Sequence, residues 1–477
     1  MVDTYATART MIAELRAKRI SARELLDAHV ARNDRVAAAI NAVVEMDLAR
    51  AQRDAAAIDE ARANGDPLGP LAGIPMTIKD GYDVENMPAT AGNPAYKERA
   101  KTCADAAVVK QVRNAGAVIW GKTNVPFMLA DIQSYNAIYG TTNNPYDATK
   151  TPGGSSGGAA AALASGVTPL EIGSDIGGSL RHPAGFCGVT ALKPTWGLLS
   201  MRGQLPPAPD SFVEMDLAVA GPMARNVDDL KLLWSVLRGT AEQPRRDVKG
   251  ARVAVWDDEP SWPLARDARD AVTRAAEALA SAGAHVERAK PRIDGAELMD
   301  FYDVMLTAIL AAGLPERMLA AFEATRGADA EVAARGGPGA AAARYRLRAT
   351  ASFRELARAE VKQQAHKDIL TELFARYDAI VMPTSTVTAF PHQHEPGFQD
   401  RMLDVDGKQV PYAHILDWIS LATALYAPSL AVNAGQTPRG IPVGVQIVGP
   451  WHGEDRLFDF AAAIEDTAGG FKPPPGL

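Results

Sequence analysis

The chain has 477 residues, 47% of them hydrophobic, with a mean hydropathy of −0.11 and a formal net charge of −7. That composition supplies a large buried core and excludes a membrane protein, since no stretch approaches the roughly 18 apolar residues of a span. Met1-Val2-Asp3-Thr4-Tyr5 lacks the basic start and apolar run of a signal peptide, so a cytoplasmic location is expected. The acidic balance and the lack of a long basic run argue against nucleic acid as a ligand. Two cysteines, Cys103 and Cys187, are too few for a disulfide framework or a thiolate metal cluster.

In chain order, residues 4 to 62 carry helix formers at helical spacing, with Ser21 placed as an N-cap, and predict two or three peripheral helices. Asn64-Gly65-Asp66-Pro67 breaks that pattern, and Ile74-Pro75-Met76-Thr77-Ile78 predicts a short buried strand with Lys79 at its end. Ala104 to Ala115 predicts a helix stopped by Gly116, followed by a strand at Ala117-Val118-Ile119-Trp120 that Gly121 closes. Gly153 to Gly158 leads into an alanine helix at Ala159–Ala164, and Thr168 to Ile172 leads to a second glycine loop at Gly173 to Ser179.

Further on, Arg252-Val253-Ala254-Val255-Trp256, a helix from Asp267 to Ala282 and His285-Val286-Glu287 form a βαβ-like run, hence a parallel strand pair. Ala379 to Met382 and Val443 to Val448 predict buried strands, and Arg456 to Ile464 an amphipathic helix. Arg326 to Ala343, rich in Ala and Gly, reads as a solvated loop ahead of a weak helix or a lid. The whole is α/β with a mixed sheet, without internal repeats or a clear interdomain linker.

The chemistry sits in Gly153-Gly154-Ser155-Ser156-Gly157-Gly158 and Gly173-Ser174-Asp175-Ile176-Gly177-Gly178-Ser179, downstream of Lys79. Serine needs a base to become a nucleophile, and glycines let backbone NH groups crowd around a developing oxyanion. The helix and strand between the loops fold them toward one sheet edge, which makes a Ser-Ser-Lys relay geometrically possible. A phosphate-binding loop would need Gly-Lys-Ser/Thr at the helix start, whereas Ala159 follows Gly158 here.

Lys79, Gly-Gly-Ser-Ser-Gly-Gly and Gly-Ser-Asp-Ile-Gly-Gly-Ser-Leu-Arg-His-Pro-Ala together resemble the core of the amidase signature family. Gly121-Lys122-Thr123-Asn124, Lys193-Pro194-Thr195, Gly221 to Arg225, Tyr377-Asp378, Pro383-Thr384 and Pro442 to Gln446 extend the resemblance over most of the chain. It implies a single α/β domain over residues 1–477, a mixed β-sheet core covered by helices on both faces. Within it lie peripheral helices (1–62), a signature core (70–235) and a variable substrate-side segment (roughly 260–370).

The resemblance implies that Ser179 is the nucleophile, Ser155 a bridging serine in a cis backbone conformation and Lys79 the base. The backbone NH groups of Ile176, Gly177, Gly178 and Ser179 are the expected oxyanion hole, with Asp175 and Arg181 bracing that loop. A buried lysine without a carboxylate partner loses several units of pKa, by up to about 3 to 5 when burial is complete, and a neutral Lys79 can then accept a proton. Neither a metal nor an organic cofactor is expected.

His392-Gln393-His394 among prolines reads as a solvated loop rather than a zinc site, Cys187 as a buried core residue, and His182 as loop packing or pocket wall. Substrate selection is expected from Met128 to Tyr139, from the Gly203 to Phe212 loop, and from the middle segment, giving Met128, Tyr135, Phe301, Tyr302 and Met305 as pocket residues. Their apolar and aromatic character points to a small amide, anilide or carbamate, with esters cleaved as a side activity. Tyr426-Ala427-Pro428 stands where a Gly-Leu-Pro turn is typical of the family, a departure that bears on the wall near the substrate. Two other readings remain: the glutaminase subunit of a tRNA-dependent amidotransferase complex, and a non-catalytic ligand-binding protein on the same fold. Homodimer formation stays open.

Overall fold

The computed structural model of the chain describes residues 2–101, 104–206 and 214–477; Cys103 and positions 207–212 of the Gly203 to Phe212 loop lie outside them. Helix α1 (Ala8–Arg16) and helix α2 (Ala22–Ile40) open the fold. Ser21 closes a capping box on α2, its Oγ accepting from Glu24 N while Glu24 Oε2 accepts from Ser21 N. Strand β1 (Val43–Met46), α3 (Leu48–Asn64), β2 (Pro75–Lys79), α4 (Ala107–Asn114) and β3 (Val118–Thr123) follow. A small hairpin of β4 (Tyr135–Asn136) and β5 (Gly140–Thr141) precedes α5 (Gly157–Ala164), β6 (Leu170–Asp175) and α6 (Arg181–Cys187). Then come β7 (Thr190–Lys193), β8 (Val219–Ala224), α7 (Val227–Arg238), β9 (Arg252–Val255), α8 (Arg266–Ser281) and β10 (His285–Arg288). Four helices, α9 (Gly295–Ala311), α10 (Glu316–Arg335), α11 (Ala340–Ala349) and α12 (Phe353–Phe374), lead to β11 (Ala379–Pro383). A second hairpin of β12 (Met402–Val405) and β13 (Lys408–Pro411), then α13 (Asp417–Ala424), β14 (Ser429–Gln436), β15 (Pro442–Val448) and α14 (Glu454–Ala468), complete it.

One 11-stranded mixed sheet runs in the order β1-β3-β2-β6-β8-β7-β14-β15-β11-β9-β10. Alternate side chains of its strands enter separate cores, as the two-residue period of a strand requires. Val253, Val255, Ala379 and Val381 join the helices α1, α2, α7, α8 and α14 on one face, whereas Ala254, Ile380 and Met382 join α9, α12 and α13 on the other. Both faces are therefore covered by helices. Strand β2 is parallel to both neighbours, β3 and β6, so the carboxyl ends of β2 and β6 lie side by side.

Three sequence expectations change. The peripheral helices enclose a strand, β1, which pairs antiparallel with β3 at the sheet edge; four residues between two helices carry too short a pattern to show it. Gly121 does not close β3 but lies inside it, where a Cβ would stand 2.8 Å from Val43 Cγ1 of β1 and only glycine fits. Residues 326–343 are not a loop: they form the end of α10, a turn and the start of α11. Arg326 holds Glu355 through two bonds of 2.7 and 2.8 Å, and Arg346 Nε holds Asp329 Oδ2 at 2.9 Å. Ion pairs replace the apolar stripe there, so helical hydrophobic periodicity is absent.

The amino-terminal helices are fixed by carboxylates from other elements. Asp229 of α7 accepts from Ala8 N (2.7 Å) and Arg9 N (3.1 Å), and Asp59 of α3 accepts from Ala22 N (2.7 Å) and Arg23 N (3.1 Å). These bonds occupy orphan first-turn NH groups and complement the helix dipole. Asp229→Ala therefore lowers unfolding free energy by about 2 kcal/mol in urea titrations and speeds amide exchange in the first turn of α1.

Candidate active site

Strand β2 ends on Lys79, whose side chain is fully buried. Its Nζ meets Ser155 Oγ at 2.7 Å, Ser156 Oγ at 2.8 Å, Ser174 Oγ at 3.0 Å and the Ser174 carbonyl at 3.3 Å. Burial pushes the lysine down to about 7, against the opposing fields of Asp175 and Glu171. A group at that value is divided between ammonium and amine near neutrality, and the amine carries a free lone pair.

The serines arrive from two loops. Ser155 and Ser156 stand just before α5, and the Gly154–Ser155 peptide bond is cis. Gly158 lets this loop approach β3, since a Cβ on it would fall 2.4 Å from Asn124 N. Ser156 N donates to the Ser179 carbonyl at 3.2 Å, which ties the first loop to the second. Sequence reasoning missed Ser156 and Ser174 as partners of Lys79. Both neighbour predicted residues within the same motifs, but which serine of a Ser-Ser pair turns inward is decided by backbone geometry.

The second loop follows β6 and is braced from below. Asp175 Oδ1 accepts from Gly178 N (2.8 Å) and Arg181 Nη2 (3.0 Å), and Oδ2 accepts from Leu180 N (3.1 Å) and Arg181 Nε (3.1 Å). Burial alone would raise this carboxyl, but the Arg181 guanidinium and the loop NH groups hold it well below the usual carboxylate range. Arg181, also fully buried, reaches the Ile419 carbonyl, Gln446 Oε1 and Thr423 Oγ1, so it links the loop to α13 and β15. Tyr302 OH donates to the Ile176 carbonyl at 2.9 Å.

The expected set of four oxyanion donors is altered by this bracing. Gly178 NH is committed to Asp175, whereas the NH groups of Ile176, Gly177 and Ser179 have no acceptor among the described residues. Gly178 has a φ of +88°, and a Cβ on it would stand 2.4 Å from the His182 ring, so a side chain is excluded twice over. His182 itself is buried, and burial lowers its pKa to about 3, leaving it neutral.

A narrow cavity of about 20 Å³ opens over Ser155, Ser174 and Ser179, room for about one water. Its outer wall is Met128, Leu129, Gln204, Pro206, Met215, Ala218 and Leu310. Of the expected pocket residues, Met128 is on this wall and the others are placed elsewhere. Phe301 and Met305 lie in the core between α9, α12 and α13, Tyr302 supports the loop after β6, and Tyr135 accepts from Arg401 and stacks on His394. The apolar residues of α9 have an ordinary core periodicity, which sequence cannot distinguish from a pocket wall. Gln204, in the Gly203 to Phe212 loop expected to select substrate, buries an Oε1 without a partner among the described residues beside the same cavity.

Other sequence features fall outside the site. Cys187 is buried at the end of α6, and burial raises its thiol. His392 is bonded to Asn143 Oδ1, and no group of three metal-ligating side chains occurs among the described residues. Tyr426 donates to Asp216 and stacks on Trp196, and the carbonyl of Ala427 accepts from the buried Lys193. A larger hollow of about 470 Å³ shares no residue with the Lys79 site and is lined by Arg245 and Arg246, already paired with Asp466 and Asp459. Among the described residues, no helix is long and apolar enough to cross a membrane.

A buried lysine amine meeting serine hydroxyls beside a loop of free NH donors is an arrangement chemically able to support acyl transfer. Comparison with known families agrees: residues 24–458 match the Amidase family, and the chain belongs to it, sharing the fold of the amidase signature enzymes. It is 32% identical over 503 residues to a subunit of the glutamyl-tRNA(Gln) amidotransferase of Acidothermus cellulolyticus, covering 96% of this chain and 94% of that one. An indoleacetamide hydrolase of Bradyrhizobium diazoefficiens is 32% identical over 469 residues, covering 96% and 85%. Among solved structures, a 6-aminohexanoate cyclic dimer hydrolase superposes with a TM-score of 0.82 at 26% identity, covering 100% of this chain and 99% of that one. The chain is thus an amidase-family hydrolase acting on carbon–nitrogen bonds.

The bracing pair yields a stability prediction. Arg181→Met leaves Asp175 buried and unpaired, so the variant loses about 3–5 kcal/mol in denaturant titration, and adding Asp175→Asn recovers part of that loss.

Proposed function

We propose that this chain is a free-standing amidase that cleaves small amides, anilides or carbamates through an acyl-enzyme on Ser179, with Ser155 and Lys79 as the proton relay. The observation that carries the reading is the buried Lys79 amine, 2.7 Å from Ser155 Oγ and at the foot of the loop that presents Ser179. Neutral Lys79 takes the Ser155 proton while Ser155 takes that of Ser179, and the freed oxygen attacks the carbonyl. The NH groups of Ile176, Gly177 and Ser179 are the donors for the resulting oxyanion; losing one such donor typically costs about 2.7–4 kcal/mol of barrier. Lys79, now charged, returns the proton through Ser155 to the leaving nitrogen, which departs as a neutral amine. Water then enters by the same relay and releases the acid.

Met128, Leu129, Met215 and Leu310 favour an apolar acyl group, and the unpartnered Gln204 Oε1 favours a substrate that offers an N–H. The likeness to an amidotransferase component supports a second reading, in which the chain releases ammonia from glutamine inside a complex. The two are separated by assaying purified wild type and Ser179→Ala, with mass spectrometry, on primary amides, anilides, carbamates and esters. Turnover by wild type alone, absent in Ser179→Ala, supports the free-standing enzyme. Silence across that panel, with glutamine cleaved only after cell extract is added, supports the complex-bound glutaminase.

Two outcomes are expected of an active enzyme. Lys79→Ala loses far more activity on amides than on an activated ester, whose leaving group needs no proton; equal losses rule out Lys79 as proton donor. Because burial depresses Lys79, only its unprotonated form is a base, so kcat/KM rises with pH on a limb centred at about 7. A limb centred near the ordinary lysine value would contradict that assignment.

A further inference from the structure

We propose that Glu171 is a positioning residue for this reaction: from the sheet side of the site, its buried carboxyl sets how readily Lys79 gives up its proton. The inference rests on the role given to Lys79 above.

The geometry follows from strand register. Thr77 of β2 pairs with Glu171 of β6, and Lys79, two residues on, pairs with Thr123 of β3, so these four side chains share one face of the sheet. Glu171 is fully buried; Oε1 accepts from Thr123 Oγ1 at 2.7 Å and Oε2 from its neighbour Ile172 N at 2.6 Å. Gly121, opposite Thr77 on β3, contributes no side chain to that face. Helix α5, packed against β2, β3 and β6, consists of Gly, Ala and one Leu and offers no polar side chain.

The charges around the cluster single out one pairing. Asp175 is matched by Arg181 at 3.0 Å, and Asp80 by Lys122 at 3.0 Å, with the Lys122 side chain on the opposite face. Tyr82 gives its OH to the Gly173 carbonyl at 2.9 Å and adds no charge. Glu171 has no cation in contact, and Lys79 no carboxylate; the other buried lysine nearby, Lys193, is bonded to the Pro194 and Ala427 carbonyls. Burial raises the carboxyl to about 7, against the Thr123 hydrogen bond and the Lys79 charge, so both groups change charge in the same pH range and influence one another. Ionised Glu171 favours the ammonium; protonated or removed, it favours the amine that the relay needs.

The test follows Lys79 directly. Protein carrying 13C at the lysine ε-carbons is titrated by NMR from pH 5 to 10, roughly the range of both groups. Lys79→Met assigns the signal, and the pH profile of kcat/KM is taken in parallel. Glu171→Gln is expected to lower the Lys79 midpoint, and with it the acidic limb, by about one pH unit. Thr123→Val, which leaves the carboxyl in place but removes the bond favouring its ionised form, moves the midpoint the same way by less. An unmoved midpoint in folded Glu171→Gln overturns the proposal, as does a uniform loss of rate at every pH without a shift. If Glu171→Gln does not fold, the Thr123→Val midpoint decides by the same criterion. A shifted Lys79 titration in a protein silent on every amide would remove the proposed activity and leave the role of Glu171 standing.

Discussion

The site depends on a lysine held in a dry interior without a carboxylate in contact. Burying an ammonium is costly unless it is paired, and the alternative is to lose the proton. Lys79 is given hydroxyls and a carbonyl as neighbours instead of a carboxylate, and those neighbours tolerate either protonation state because hydroxyls both donate and accept. An aspartate in contact would have fixed the charge. One nearby carboxylate, Asp175, is fully engaged by Arg181 and by the NH groups of its own loop. Charge pairing at one residue thus protects the lack of pairing at another.

The sheet supplies the precision this requires. Parallel β2 and β6 end together, so a buried lysine on one and a loop of NH donors on the other face a common space without long connections. The loop after β6 is held at several points: Asp175 from within, Arg181 and the elements it reaches, and Tyr302 from α9. These contacts order the donors before substrate arrives, which is where electrostatic stabilisation of an oxyanion gains its value. The arrangement also limits the set of free donors, since the Gly178 NH that Asp175 uses to shape the loop is already taken.

Much of this could be read along the chain, and the losses have identifiable causes. The strand at 75–79, the alanine helix after the first serine loop and the βαβ run at 252–288 follow from apolar runs bounded by turn residues, which are local signals. Strand β1 was invisible because four residues between two helices acquire strand character only by pairing with β3. Residues 326–343, at the end of α10 and the start of α11, read as a loop in the sequence because arginine–carboxylate pairs do the work that apolar spacing does elsewhere. Phe301 and Met305 had the composition of a pocket wall and the location of a core, a difference that depends on which side of α9 faces Ser179. Glu171 gave no signal, because a single acidic residue in a strand has meaning only when the strands beside it are known.

The sequence by itself determined the chemical parts and their order: one lysine at a strand end, two serine loops rich in glycine, and an aspartate–arginine pair around the second. Those are matters of residue type and short spacing, which covalent connectivity fixes. Tertiary structure alone decided which hydroxyls touch Lys79, that the Gly178 NH is already taken, that Leu310 and Met215 join the cavity wall, and that Glu171 shares the sheet face of Lys79. Each of these is a distance between residues brought together by strand pairing and burial, and the energy of a charge depends on such distances and on the exclusion of water.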